Sequence, residues 1–289
     1  MRIVEHAKGE KISLTNDGEL SLFFIGVGSA FAKRNNQTNL LIVKGNDHVL
    51  VDCGETGPLA LSSVAGLSST DIRVVLPTHS HPDHVNGIAS LGIDSRYVGM
   101  RRMNHPKIKM VINEEYQRIL WTHTLQGALE WNESLNGGVE HLGFSDYFDV
   151  IRPEWSAFRP REVWTVDVGC IHLEMFRTKH IPEQSKGWEV SFVSYGLLID
   201  YSVFYSGDTR FDPDLIDMYR HSEAMFHDVQ FFPGAVHAPL SDLKTLSPAL
   251  KSKMHLVHYA DNWESQDISD FAGWTRQGVW YVFDEIVQA

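Results

Sequence analysis

Thr78-His79-Ser80-His81-Pro82-Asp83-His84 follows directly on an apolar, β-branched run at 72–76 that Pro77 closes. Four side chains of metal-ligand type in six residues are hard to account for by packing. In an extended chain, residues two apart point the same way, so His79 and His81 can offer imidazoles to one ion. Asp83 and His84 fall where Val85-Asn86-Gly87-Ile88-Ala89 reads as a helix start. They point elsewhere and suit a second ion. Histidine and carboxylate donors suit zinc first, with manganese or iron as alternatives.

Working outward, the first third alternates buried strands and tight turns. Residues 22–27 read as a buried strand running into Gly28-Ser29-Ala30. Residues 39–43 and 48–52 read as a hairpin across Gly45-Asn46-Asp47. Strand signals return at 163–168 and 171–176, a hairpin joined around Gly169, and again at 190–198, 202–205, 224–227, 255–258 and 279–283. From about 100 to 160 they fade. There Ile112, Tyr116, Ile119 and Leu120 fall on one helical face, and Gly137-Gly138 marks a break. This segment reads as an insertion carrying one or more helices: a lid, an oligomer contact, or an ordinary packing layer. Two strand-rich halves with helices between suit an α/β chain with two sheets sandwiched between helices, one domain over 1–289.

Later motifs join the histidine string in a recognisable order. The chain resembles the metallo-β-lactamase superfamily, whose signature is HxHxDH after a strand. Thr178-Lys179-His180 resembles the segment with the family's third histidine, Tyr205-Ser206-Gly207-Asp208-Thr209 its GDT motif, and Leu256-Val257-His258 its final histidine. Phe24-Ile25-Gly26-Val27-Gly28-Ser29-Ala30 resembles the first-strand FxGxGSA pattern, and Val51-Asp52-Cys53-Gly54 the DxG turn. The resemblance implies a four-layer αββα sandwich. It implies that His180 completes the first ion's histidine set, that Asp208 bridges both ions, and that His258 binds the second. Asp52 would back up a ligand or brace a loop.

Two divalent cations bring four positive charges, of which Asp83 and Asp208 offset two. Such a site favours an anionic substrate and activates water near neutral pH. The expected nucleophile is a hydroxide bridging the ions. The scaffold alone does not choose among phosphodiester, β-lactam, lactone and thioester substrates. The segment between Asp208 and His258 does bear on the choice. His227-Asp228-Val229-Gln230-Phe231 resembles the HEATF segment of the RNase Z branch, and His237-Ala238-Pro239 resembles its HST-type motif, 21 positions before His258. In that branch the histidine protonates or stabilises the leaving oxygen of a phosphodiester, a poor leaving group that benefits from an acid. His237 is therefore the candidate acid and Asp228 its orienting partner; Asp83 joins them as a candidate catalytic carboxylate as well as a ligand.

The departures are informative. The motifs read HAP and HDVQF, and only 27 residues separate His180 from Asp208. That is too short for the arm with which RNase Z grips transfer RNA. The formal net charge of −12 also repels a polyanion. A small phosphodiester such as a cyclic nucleotide is the expected substrate rather than a large nucleic acid. A lactonase or β-lactamase-like carbonyl hydrolase is the alternative, followed by an RNA 3′-processing endonuclease or a non-catalytic binding protein. Arg101, Arg102, Lys107 and Lys109 are either a phosphate-holding rim or a solvated surface; Trp188 and Trp263 either stack on a base or pack. Cys53 and Cys170 read as buried free thiols at strand ends, and the N-terminus lacks the apolar run of a signal peptide. The expectation is a cytoplasmic protein, dimeric as the branch commonly is.

Overall fold

The computed structural model describes residues 1–134 and 136–283. Among them the strands form two eight-stranded sheets and a two-stranded ribbon. The first sheet runs, edge to edge, through Arg2–Glu5, Val279–Phe283, Leu20–Gly26, Asn39–Lys44, Asp47–Val51, Val74–Leu76, Lys109–Val111 and Asp149–Ile151. The second runs through Glu154–Trp155, Val163–Val168, Ile171–Arg177, Tyr195–Ile199, Val203–Tyr205, Ala224–Asp228, Met254–Val257 and Gly273–Trp274. Leu20–Gly26 is buried throughout, as expected of a strand covered on both faces. The sheets meet through rings: Phe24 of the first lies 4.9 Å from Phe226 of the second, which also meets Tyr281 edge-on at 5.0 Å. Helices flank the sheets, giving the metallo-β-lactamase architecture that the motif order implied.

Both sheets turn parallel near one end, at Asp47–Val51 through Asp149–Ile151 and at Val203–Tyr205 through Gly273–Trp274. Parallel strands end together, so the loops after them converge, the usual place for a site in α/β proteins. Asp52, His79, His180, Asp208 and His258 all lie one to three residues past the end of a strand, and Asp228 is the last residue of one. Asp83 and His84 ride on the one-turn helix Pro82–Val85, whose first turn Pro82 presets.

Several local expectations shift. The 100–160 segment contributes Lys109–Val111 and Asp149–Ile151 to the first sheet. Its helix Glu114–Leu120 begins after Ile112, because Asn113 caps it by accepting the Tyr116 amide at 2.8 Å. Tyr116 and Leu120 are buried as a helical face requires, whereas Ile112 packs from just beyond a strand end. The expected strand at 190–198 starts at Tyr195, since Trp188–Val190 forms a 3-10 turn. Cys53 is buried, but Cys170 is exposed. It occupies the tight turn of its hairpin, where a side chain faces outward, and its Sγ lies 3.0 Å from the Lys44 carbonyl.

Candidate metal centre

Three groups of side chains present donor atoms within coordination reach of one another. His79, His81, His180 and Asp208 form one; Asp83, His84, Asp208 and His258 form the next; Asp208, Asp228, His237 and His258 form the third. The structure thus brings together every metal-ligand and acid–base candidate read from the sequence, and Asp208 belongs to all three groups. His81 Nδ1 lies 3.0 Å from His79 Nε2 and 2.9 Å from His180 Nε2. Asp208 Oδ2 lies 3.6 Å from His79 Nε2, 3.7 Å from His180 Nε2, 3.2 Å from His84 Nε2 and 3.6 Å from His258 Nε2. Asp83 Oδ2 lies 3.4 Å from His84 Nε2 and 3.2 Å from His258 Nε2.

Metal–nitrogen bonds of roughly 2.0–2.1 Å put neighbouring donors of a tetrahedral ion about 3.3–3.4 Å apart. The observed spacings bracket that value. Asp208 Oδ2 and His84 Nε2 are also buried with no hydrogen-bond partner, which costs about 1–3 kcal/mol per neutral group and more for a charge. A divalent cation on each side of Asp208 would satisfy them.

What lies behind the rings fixes which nitrogen faces inward. Asp52 accepts the Thr78 amide at 2.7 Å, the Thr78 hydroxyl at 2.7 Å and His84 Nδ1–H at 2.7 Å. Having given its one proton to Asp52, the Thr78 hydroxyl accepts from His79 Nδ1–H at 3.1 Å. His180 Nδ1–H donates to the Val236 carbonyl at 2.9 Å. Each of these rings therefore turns its Nε2 toward the cluster. Two glycines allow the close approach. A Cβ on Gly54 would overlap the Asp83 carbonyl, and Gly207 holds φ +55° against the Tyr195 carbonyl.

Known proteins place this chain in a family. The family profile described as Anti-Pycsar protein Apyc1 matches residues 20–281. The chain belongs to this family. Anti-Pycsar protein Apyc1 of Paenibacillus sp. (strain J14) is 35% identical over 250 residues, 85% of this chain and 91% of its own. The metallo-β-lactamase fold protein YhfI of Bacillus subtilis superposes with a TM-score of 0.64 at 15% identity, over 92% of this chain and 100% of its own. Human tRNase Z, short form, superposes with a TM-score of 0.58 at 13% identity, over 89% and 96%. At such identities the structural likenesses show the fold. With the family, the fold and the donor clusters together, the protein is a metal-dependent hydrolase.

The charge states of four donors of this Apyc1 family member suit ligation, and a fifth, His84, must release a proton to hold a cation. Burial drives His79 well below the ordinary imidazole range and pushes His180 down to about 4, so both stay neutral at neutral pH. Burial opposes the charged forms of Asp83 and Asp208, but their histidine neighbours outweigh it and hold both carboxyls low. Burial likewise opposes a charged His84, and the fields of Asp208, Asp83 and Asp52 reverse it, raising the ring well above its usual value.

His237 belongs only to the third of these groups. Its Nδ1–H donates to Asp228 Oδ2 at 2.8 Å, its ring stacks 4.7 Å from His258, and it is partly exposed. Burial lowers its affinity for a proton, yet the bond to Asp228 and the nearby carboxylates push it up to about 9. Asp228 is itself fixed by the Thr209 amide at 3.2 Å. The basic residues considered as a rim do not line the cavity beside this cluster: Arg101 pairs with Glu133 at 3.7 Å and Lys107 with Asp149 at 3.1 Å. Trp263 packs against Tyr259 and Trp274, and Trp188 lines a separate cavity. Sequence reasoning did not find Thr78 or the Val236 carbonyl as ring supports.

Proposed function

We propose that the protein is a phosphodiesterase that opens a small cyclic nucleotide. In this reading His79, His81 and His180 hold one ion, Asp83, His84 and His258 hold a second, and Asp208 is shared. Zinc suits the donors first, with manganese or iron as alternatives. The ions, when bound, activate water and offset charge on the phosphoryl oxygens. The chain's own residues do the rest. His237 holds a proton at the open side of the cluster and delivers it to the departing ribose oxygen. Asp228 fixes its ring through the 2.8 Å bond, so that Nε2 faces the substrate. That dyad is the observation that carries the proposal, because an alkoxide leaving group benefits from an acid; a lactone also expels an alkoxide, and it is family membership that favours the phosphodiester over it.

Family membership supports a cyclic-nucleotide substrate. The −12 charge and the short His180-to-Asp208 connection argue against a large nucleic acid. In the same reading the chain works as one domain in the cytoplasm, and as a homodimer. The exposed Trp131, Val139, Trp155 and Phe158 of the 100–160 segment would supply apolar contact surface. Among the described residues, no helix is long and apolar enough to cross a membrane.

His237→Ala tests the acid. Turnover of a cyclic nucleotide is expected to fall by about 10²–10⁴-fold with both ions retained by metal analysis. Loss of metal from the variant, or full activity, would overturn the assignment.

A further inference from the structure

Beside the cluster lies a cavity of about 480 Å³ that shares His237 and His258 with it. A volume of this size is in the range of small-ligand sites. Its walls are largely apolar and include Phe31, Phe231, Phe232 and Ala260, with no lysine or arginine among them. Phe31 is 88% exposed and Phe232 60% exposed. Covering a phenylalanine ring is favourable, so two bared rings beside the cluster call for an occupant.

These rings do not hang from slack loops. Ser29 donates its amide to the Tyr259 carbonyl at 3.1 Å, and the amides of Lys33 and Arg34 donate to the Asp261 carboxylate at 2.9–3.0 Å. The Arg34 guanidinium bonds Glu264 at 2.9 Å. On the other wall, the Gln230 side-chain amide donates to the Phe232 carbonyl at 2.8 Å and to the Gly234 carbonyl. The loop carrying Phe31 is thus tied to the loop after His258, and the loop carrying Phe232 is braced from within.

The charge divides the work. A phosphodiester belongs at the metal cluster. The aromatic-walled cavity next to it, whose Asp261 carboxylate is taken up by the Lys33 and Arg34 amides, suits a flat, neutral ring attached to that phosphodiester. We infer that this cavity seats the nucleobase, which stacks on Phe31 and Phe232. The inference rests on the proposed phosphodiesterase function and adds where the base goes. Stacking on aromatic side chains accepts any base, since every base has a π-face.

The test compares wild type with Phe31→Ala/Phe232→Ala on two substrates. One is adenosine 3′,5′-cyclic phosphate; the other is methyl riboside 3′,5′-cyclic phosphate, which lacks a base. Both phenylalanines are exposed, so the fold should tolerate the change. The double variant should raise the nucleotide KM about tenfold or more, with kcat within about twofold and the baseless KM unchanged. An unchanged nucleotide KM, or an equal rise for the baseless compound, overturns the inference. If wild type cleaves neither, the proposed function fails, and the pocket is then read from calorimetric binding of adenosine to metal-loaded protein. Binding lost in the double variant upholds the pocket. No binding to wild type, or equal binding to the variant, overturns it.

Discussion

At the residue scale, one buried carboxylate governs two rings. Asp52 holds His84 directly and His79 through the Thr78 hydroxyl. Asp52→Ala should therefore weaken metal binding about 10–100-fold, read by competition with a chromogenic chelator, while the circular dichroism of the fold persists. Unchanged affinity would refute its part in orienting the rings. Asp52 and His258 both adopt left-handed backbone, φ +63° and +60°, a conformation uncommon outside glycine and frequent at functional sites. The donors themselves were legible because six residues carry four of them and the others recur in order. The supports were not. Thr78 is an unremarkable hydroxyl, and the group behind His180 is a backbone carbonyl 56 positions away, which no side-chain pattern records. Phe31 and Phe232 look in sequence like ordinary core residues; only their exposure marks them.

At the element scale, the strand Asp47–Val51 carries a titratable anchor far from the metal cluster. His48 Nε2 accepts the Arg73 amide at 3.0 Å. Burial, and then the charge of Arg73, push this imidazole down to about 4. A depressed folded-state value means that the unfolded chain binds the proton first. The stabilising contribution is complete above about pH 6.5 and is lost as pH falls toward about 4. His48→Gln keeps an acceptor but cannot titrate. Between pH 7 and 4.5 it should lose roughly 2–3 kcal/mol less stability than wild type, measured by urea denaturation at both pH values; equal losses would contradict this. Long buried strands such as Leu20–Gly26 were visible in the sequence through their apolar runs. The short strands Lys109–Val111 and Asp149–Ile151 were not, because three residues carry no periodicity and their parallel partners are distant in the chain. Asn113 moved a helix start by capping it, a choice that the apolar face alone could not settle.

At the scale of the whole molecule, an acidic protein surrounds a site built for cations. The global field repels a polyanion, while two ions beside Asp208 would attract a small anion locally. Raising salt from about 20 to 150 mM should change kcat/KM for a cyclic mononucleotide by less than about threefold. An enzyme gripping many phosphates loses far more over such a range, so a tenfold or greater loss would point to a polynucleotide substrate. The layered fold was legible from the order of its motifs, since each motif follows a strand and the strands end together. The most direct test of the whole account is turnover by metal-loaded wild-type protein, with and without chelator. The panel comprises bis(p-nitrophenyl) phosphate, 2′,3′- and 3′,5′-cyclic nucleotides, a lactone and a chromogenic β-lactam. The account predicts chelator-sensitive opening of cyclic nucleotides to mononucleotides; cleavage of the lactone or β-lactam alone would contradict it.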